Sequence, residues 1–507
     1  MAQVVRRLRL AGGLTCVMLA GGAVLALGGD PAIAASSSYS TPRWWSKYQA
    51  LLARTTPFAW SPALAVGPNV DASNEDGPQS ETSITINPNN PSQVVGGSNE
   101  IARLPMRAYF SRDGGKSFGA VDLPLPPPAT TNGTDFGSDP GVAFDTRGNV
   151  YYSYIVVFFN RTMGAVQGSE VAVAKSSDGG ASWPQVTFFN FTSGSGKFND
   201  KPMIAVDHNP ASPFRDSVYV AWDNASNKEG KSSSNNALLF SRSTDGGASF
   251  SKPIAVNSLT GGPSSVIAAD PFVGASGEVY VAWHDVLDSR LLINRSRDGG
   301  ATFGQPSTIA PTAIPLEALI PPQASRGALL YPACDSDRSS GVHRATLYCS
   351  WMDETPGNGT DILLSRSTDR GQHWSAPLRV NDDPTGAVRD QFNQWLSIDS
   401  VTGAIALSWN DPRNDPADTK TDIYFSRSSS GGLSFSTNVK VTTAVSDESA
   451  ANPFADAGNQ YGDYEGIAAY GGTAHPIWTD GRLDAAIDPL TGQRIGEEVF
   501  SATVSSK

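Results

Sequence analysis

The residues best suited to chemistry in this 507-residue chain are carboxylates that recur at two kinds of place. One set stands at the start of short β-branched and apolar runs: Glu81, Asp139, Asp200, Asp270, Asp390, Asp463 and Glu465. The other closes aliphatic and aromatic runs and comprises Glu100, Asp223, Asp285, Asp353, Glu354, Asp411 and Asp480, with Asn99, His284, Arg413 and Arg482 beside them. Two carboxylates held apart across a sugar linkage could serve as general acid and as base or nucleophile. Oxygen-rich clusters of this kind also bind Ca²⁺, so the pattern admits a calcium site while naming no other cofactor. Against both stands the commonest use of a single such Asp, which is to cap a strand end or a turn. The five histidines have no metal-ligand spacing, and no Ser nucleophile elbow, P-loop or Cys-x-x-Cys is present.

The elements that position these carboxylates are announced by a phrase spelled six times: SRDGGKSF at Ser111, SSDGGASW at Ser176, STDGGASF at Ser243, SRDGGATF at Ser296, STDRGQHW at Ser367 and SSSGGLSF at Ser428. It reads S-x-D-x-G-x-[ST]-[FW]. Each position has a physical task in a tight hairpin loop: the Asp accepts hydrogen bonds from loop amides, the Gly takes a positive φ, and the aromatic plugs the core beneath. Ser430 replaces the Asp once, and His373 replaces Ser/Thr once. The pattern resembles the Asp box, or BNR repeat, of sialidases and related β-propeller proteins. That resemblance implies an all-β propeller with the boxes on the side away from the active site.

Around each box the same four short strand-like runs recur, as in DKPMIAVD from Asp200, VYVAWDN from Val218, ALLFSRS from Ala237 and KPIAVNS from Lys252. Four such runs with turn signals between them make one antiparallel blade. First-strand candidates near Glu81, Asp139, Asp200, Asp270, Leu330, Gln391 and Glu465 predict seven blades; six boxes alone would predict six. The seventh lacks a fourth strand, and WSPALAVGPN from Trp60 has the texture of one, so an N-terminal strand is expected to complete the last blade and close the ring. This places a single propeller over residues 58–507, after a linker or N-terminal extension at 35–57. Trp222, Trp283, Trp351, Trp409 and Trp478 share one second-strand position and read as repeat core rather than sugar platforms.

In a propeller, first-strand starts and second-strand ends emerge together around the mouth of the axial channel, where both sets of carboxylates would gather. Resemblance to sialidases implies specific roles there: three arginines clamping a substrate carboxylate, a Tyr activated by a Glu as nucleophile, and an Asp as acid/base. Arg103, Arg413 and Arg482 would be the clamp, Tyr464 and Glu465 the nucleophile pair, and Asp139 the acid/base. The chain departs from that family in two ways: Arg103 stands only eight residues before Ser111, where the family's first arginine sits well ahead of the first box, and the family has six blades, not seven. Arg413 and Arg482 also belong to a repeated W-x-D-x-R phrase in which they could simply pair with Asp411 and Asp480. The reading is therefore an exo-glycosidase acting on a glycan, with a non-catalytic binding or assembly propeller and a polysaccharide lyase or neutral-glycan hydrolase as the alternatives.

Residues 1–34 carry Arg6, Arg7 and Arg9, an apolar run from Leu10 to Leu27 and the small-residue end Ala32-Ile33-Ala34, the pattern of a secretory signal peptide. An uncleaved membrane anchor is the alternative. Loss of the segment would move the net charge from −12 to −14. An exported acidic chain with no basic stripe is expected to bind neither nucleic acid nor an anionic membrane, and to repel polyanions unless basic residues gather locally. Cys334 and Cys349 would remain, and two cysteines in an exported, monomeric protein favour a disulfide.

Overall fold

A computed structural model of the chain describes residues 63–74, 78–101, 104–126, 133–160, 165–193, 197–225, 236–257, 265–449, 451–453, 455, 458–482, 486–487 and 494–506. The reading of residues 1–34 as a signal and of 35–57 as a linker lies outside them. Seven antiparallel sheets succeed one another along the chain: blade 1 at 79–122, blade 2 at 133–193, blade 3 at 198–255, blade 4 at 266–311, blade 5 at 333–379, blade 6 at 392–440 and blade 7 at 466–506. The molecule is a seven-bladed β-propeller, not a six-bladed one. In blade 7, Val504–Ser506 pairs with Leu64–Val66 and Phe500–Ser501 with Val70–Asp71, so the outermost strand of the last blade comes from the other end of the chain. No helix among the described residues is long and apolar enough to cross a membrane.

The six box turns join third to fourth strands, and their side chains do what their residue types allow. In the first, Ser111 donates to Asp113 at 2.8 Å and accepts from the Gly115 amide at 2.9 Å, while Asp113 accepts from the Ser117 amide at 3.0 Å and its hydroxyl at 2.6 Å. Hydroxyl donation from Ser117, with the loop amides, holds the Asp113 carboxyl down at about 2; Asp245 is held at about 2 mainly by Ser249. His373 satisfies Asp369 through Nδ1 at 2.6 Å, and Ser430 accepts from the Ser434 amide at 2.9 Å, so both lapses keep the turn. The second Gly is also where a box touches the preceding blade: a Cβ on Gly300, at φ +80°, would sit 2.5 Å from the Phe240 ring.

Between blades the core is aromatic. Trp222, Trp283, Trp351, Trp409 and Trp478 are all fully buried, which makes them packing residues. Phe250 of the third box stacks on Phe189 of blade 2 at 4.4 Å, and Phe303 of the fourth meets Phe240 of blade 3 edge-on at 4.9 Å. Truncating a buried aromatic of this kind typically costs about 3–5 kcal/mol, so each seam is expensive to open.

Candidate functional site

Each inner strand of blades 1, 2, 3, 4 and 6 carries a β-bulge near its start. The bulged residues Glu81, Asp139, Lys201, Ala268 and Asn393 have left-handed backbones, with φ of +57°, +62°, +48°, +67° and +50°. A bulge inserts one extra residue and re-aims the neighbouring side chains, which is how a strand end can turn one of them toward an axis. Tyr331 and Tyr464 stand at the same spacing in blades 5 and 7. These repeat-equivalent positions make up the axial mouth.

The mouth is bound together blade to blade. Asn99 donates to Glu81 at 2.6 Å and accepts from the Asp139 amide at 2.5 Å; Asp139 accepts from the Lys201 amide at 2.9 Å; Asp223 accepts from the Ala268 amide at 2.9 Å; Asp270 accepts from the Cys334 amide at 2.6 Å; Gln394 donates to the Tyr331 carbonyl at 2.8 Å. From blades 1, 2 and 3 a mouth amide or carboxylate thus holds the backbone N–H of the next blade's left-handed residue, Asp139, Lys201 or Ala268, the structural use that a lone Asp suggested. Burial pushes the carboxyls of Asp223 and Asp270 up to about 7.

At the centre of the ring lies Lys201. Its ammonium sits 3.9 Å from the ring centre of Tyr331, 4.1 Å from that of Tyr464 and 5.1 Å from that of Trp395. Burial lowers the affinity of this amine for its proton, and the charges of Asp223, Asp270, Asp463 and Glu81 oppose that shift. A second cation arrives from the segment between blades 4 and 5. Arg326 forms ion pairs with Glu81 and, at 2.8 Å, with Asp463, while Gln323 donates to the Gly462 carbonyl at 3.1 Å. The segment reaches across the mouth to blades 7 and 1, and Glu81, Asp139, Lys201, Asp463 and Tyr464 are all buried beneath it. Gly462 admits this approach, because a Cβ there would press on Glu81 at 2.6 Å. Below the mouth, a channel of about 210 Å³ runs between the inner strands of all seven blades, with Trp395, Asp270 and Cys334 among its lining.

The residues expected at the mouth divide. Asp139 and Tyr464 are brought together: the Tyr464 hydroxyl is buried, finds no hydrogen-bond partner, and is pushed well above the usual phenol range by burial and then by Asp139 and Glu81. Glu465 is adjacent in sequence but serves the seam with blade 6. Its carboxylate, pushed up by burial, lies beside Asn410 of blade 6 and accepts from the Thr479 amide at 3.3 Å, so the carboxylates beside Tyr464 are Asp139, Glu81 and Asp463.

Arg413 and Arg482 occupy equivalent places one blade apart. Arg413 lies 4.1 Å over Tyr424 and bonds to Asp411, Asp382 and Asn438; Arg482 lies 4.2 Å over Phe500 and bonds to Asp480, Thr443 and Asn69. Trp409 and Trp478 donate to the same Asp411 and Asp480 at 2.8 and 2.7 Å. The W-x-D-x-R phrase is therefore a clasp within each blade, and the two arginines share none of these partners. Arg103 lies outside the described residues. Among the described residues, no group of three or more His, Cys, Asp or Glu is disposed to hold a metal ion.

Sequence reasoning missed Lys201 and Arg326. A signal for Lys201 existed: it stands six residues before Asp207, as Asp139 does before Asp145 and Asn393 before Asp399, and this spacing marks the bulge. Arg326 had none, because its segment has no counterpart in the other repeats.

Fold and site together define a seven-bladed propeller whose axial mouth is lined with buried charge and closed by an inter-blade segment. No protein-family model matches the chain, and no curated protein matches it. Solved structures do. It is similar to a protein of unknown function from Dyadobacter fermentans, at 11% identity and a TM-score of 0.47 over 88% of this chain and 100% of that one. It is also similar to the phage phi92 endosialidase, at 10% identity and a TM-score of 0.48 over 87% of this chain and 69% of that one. A third is the α-L-arabinofuranosidase Arb93A of Fusarium graminearum, at 11% identity and a TM-score of 0.44 over 68% of this chain and 92% of that one. At such identities and scores, these matches are silent on chemistry.

Proposed function

We propose that this protein is exported and acts on a glycan at its axial mouth, as a sialidase-like exo-glycosidase working as a monomer. The observation that carries the reading is the Tyr464 hydroxyl, buried without a hydrogen-bond partner beside the carboxylates of Asp139 and Glu81. A buried hydroxyl left unsatisfied costs stability and calls for an explanation, and a ligand that completes it is one. In the step proposed, the Tyr464 oxygen bonds to the anomeric carbon and passes its proton to Glu81. The glycosidic C–O bond breaks, and the leaving oxygen takes a proton from Asp139; water later releases the sugar from Tyr464. Lys201 and Arg326, rather than Arg413 and Arg482, are the cations that would meet an acidic sugar, after the Arg326 segment withdraws. The Cys334–Cys349 disulfide supports export, because such bonds persist in oxidising compartments.

One observation favours a second reading, a non-catalytic binding propeller: Arg326 is already neutralised by Glu81 and Asp463, and the mouth is closed. Turnover of a panel of aryl sialosides and neutral aryl glycosides, in the parent and in Tyr464→Phe, separates the two. Turnover lost in the variant supports catalysis; no turnover in the parent, or turnover indifferent to the variant, removes it.

A further inference from the structure

On the face opposite the mouth, where the boxes and the first turns of the blades lie, one inter-blade junction departs from the others. In blades 3, 5 and 6 an Arg before the box Ser ties its blade to the next: Arg242 donates to the carbonyls of Asp298 and Gly299 at 3.0 and 2.8 Å, Arg366 to that of Gly431 at 3.2 Å, and Arg427 to that of Gly472 at 2.8 Å. Arg295 holds this position in blade 4, but its guanidinium lies beside the Tyr280 hydroxyl of its own blade.

The box it faces is the unusual one. Five boxes place Gly at the first of the paired positions, each with a positive φ; the fifth places Arg370 there at φ +65°, a conformation that side-chain-bearing residues avoid. At neighbouring junctions a ring from the preceding blade lies over that Gly: a Cβ on Gly299 would sit 2.4 Å from Phe214, and one on Gly431 would sit 2.5 Å from His343. Those rings come from first turns spanning 207–217 and 337–346, whereas the first turn of blade 4 spans only 274–278. The short turn leaves a recess of about 290 Å³, lined by Phe214, Ser276, Glu278, Arg295, Arg297 and Arg370.

Three guanidiniums face one carboxylate in this recess, on a chain whose net charge is −12. The ion pair between them is loose, Arg370 to Glu278 at 3.7 Å, with the Arg370 side chain 62% exposed. The carboxylates of the adjoining boxes are engaged within their own turns, Asp298 by Ser296 and Thr302 and Asp369 by Ser367 and His373. Guanidinium forks match the paired oxygens of an oxyanion, and several around one recess bind it where a lone surface Arg would not. The space exceeds that of one small anion, since a water in bulk takes only about 30 Å³. We infer that this recess is an oxyanion-binding site, for a sulfate or phosphate group carried on a larger ligand such as a sugar ester. It is independent of the mouth.

Arg370→Gly tests it without a folding confound, because the variant restores the residue that suits the backbone. Binding of inorganic sulfate, inorganic phosphate and glucose 6-sulfate is measured by calorimetry at low salt in the parent, in Arg370→Gly and in Arg297→Ala. The inference expects saturable binding in the parent, weakened at least about tenfold in each variant, with the melting temperature of anion-free Arg370→Gly equal to or above the parent's. Tighter binding of glucose 6-sulfate than of inorganic sulfate identifies the carrier as a sugar; equal binding identifies the free oxyanion as the ligand. Absence of saturable binding by the parent, or equal binding by parent and Arg370→Gly, overturns the site. Tyr464→Phe should bind these anions as the parent does, so failure here and failure of the glycosidase reading are told apart.

Discussion

Replacing Tyr464 by Phe perturbs one atom of the mouth and makes two separate quantities move. The ring stays 4.1 Å from the Lys201 ammonium, so its π face still receives the cation. Only the hydroxyl is removed, and in the parent it is buried without a partner. Leaving such a group unsatisfied costs about 1–3 kcal/mol, so its loss should stabilise the fold by up to that amount. For a chain of this length, an unfolding entropy near 2 cal/mol/K per residue converts 1 kcal/mol into roughly 1 °C, which sets the expected rise at about 1–3 °C. Urea midpoints with a refolding control check the same free-energy change, since large proteins often unfold irreversibly on heating. Turnover should fall at least about 10³-fold, the order expected when a nucleophile is deleted. A lower midpoint would mean that the hydroxyl was satisfied after all and would undercut the argument. A raised midpoint with full turnover would leave the hydroxyl without the role proposed.

The other predictions concern the scaffold. Arg482→Ala strands the fully buried Asp480 carboxylate and should cost about 3–5 kcal/mol, as breaking a buried pair does, while glycan or anion affinity of the folded fraction stays constant; lost affinity at full stability would return Arg482 to the binding machinery. Stability against pH should show two opposed limbs. Asp113, Asp245, Asp298 and Asp369 are held at about 2, so their contribution is complete above the unfolded value near 4 and is lost as pH falls toward 2. Asp223 and Asp270 are raised to about 7, so their contribution is complete below about 4 and is lost as pH rises through 7. Burial holds His208, His284 and His475 well below the usual imidazole range, which opposes that fall over the same pH range, so the test is the difference between proteins: Asp223→Asn should remove part of the loss of urea midpoint between pH 4 and 7 relative to the parent, and an unchanged slope contradicts this. Cys334 and Cys349 close a loop of sequence separation 15, so their paired replacement by Ser should cost about 3 kcal/mol in urea titrations, and equal midpoints would rule that out.

Most of the architecture was legible because it is periodic. The box phrase, the W-x-D ending and the β-branched runs each repeat with the blade, and the seventh blade could be counted from its first strand even without a box. The mouth was only half legible, for a reason of backbone geometry. Strict alternation along DKPMIAVD would choose Asp200 or Lys201 by counting, and the bulge at Lys201 breaks that count. Tyr464 and Glu465 lie just ahead of the strand Gly466–Tyr470, where successive extended residues point opposite ways, so a pair adjacent in sequence is poorly placed to act as one. Arg413 and Arg482 illustrate the opposite case. Their repeated phrase pointed toward a clasp with Asp411 and Asp480, and that is the contact each makes.

The seam in blade 7 has a consequence for biogenesis. Leu64 pairs with Ser506, so the strand Leu64–Val66 has no neighbour until Val504–Ser506 has been made. Blades 1 to 6 are assembled from consecutive strands and can form in order, but the ring cannot shut before that strand appears. Until then the chain is an open arc with two raw edges, a shape vulnerable to pairing with a second copy. Loss of the strand Val504–Ser506 would leave Leu64–Val66 unpaired, so these two strands, distant in the chain, act as a single latch.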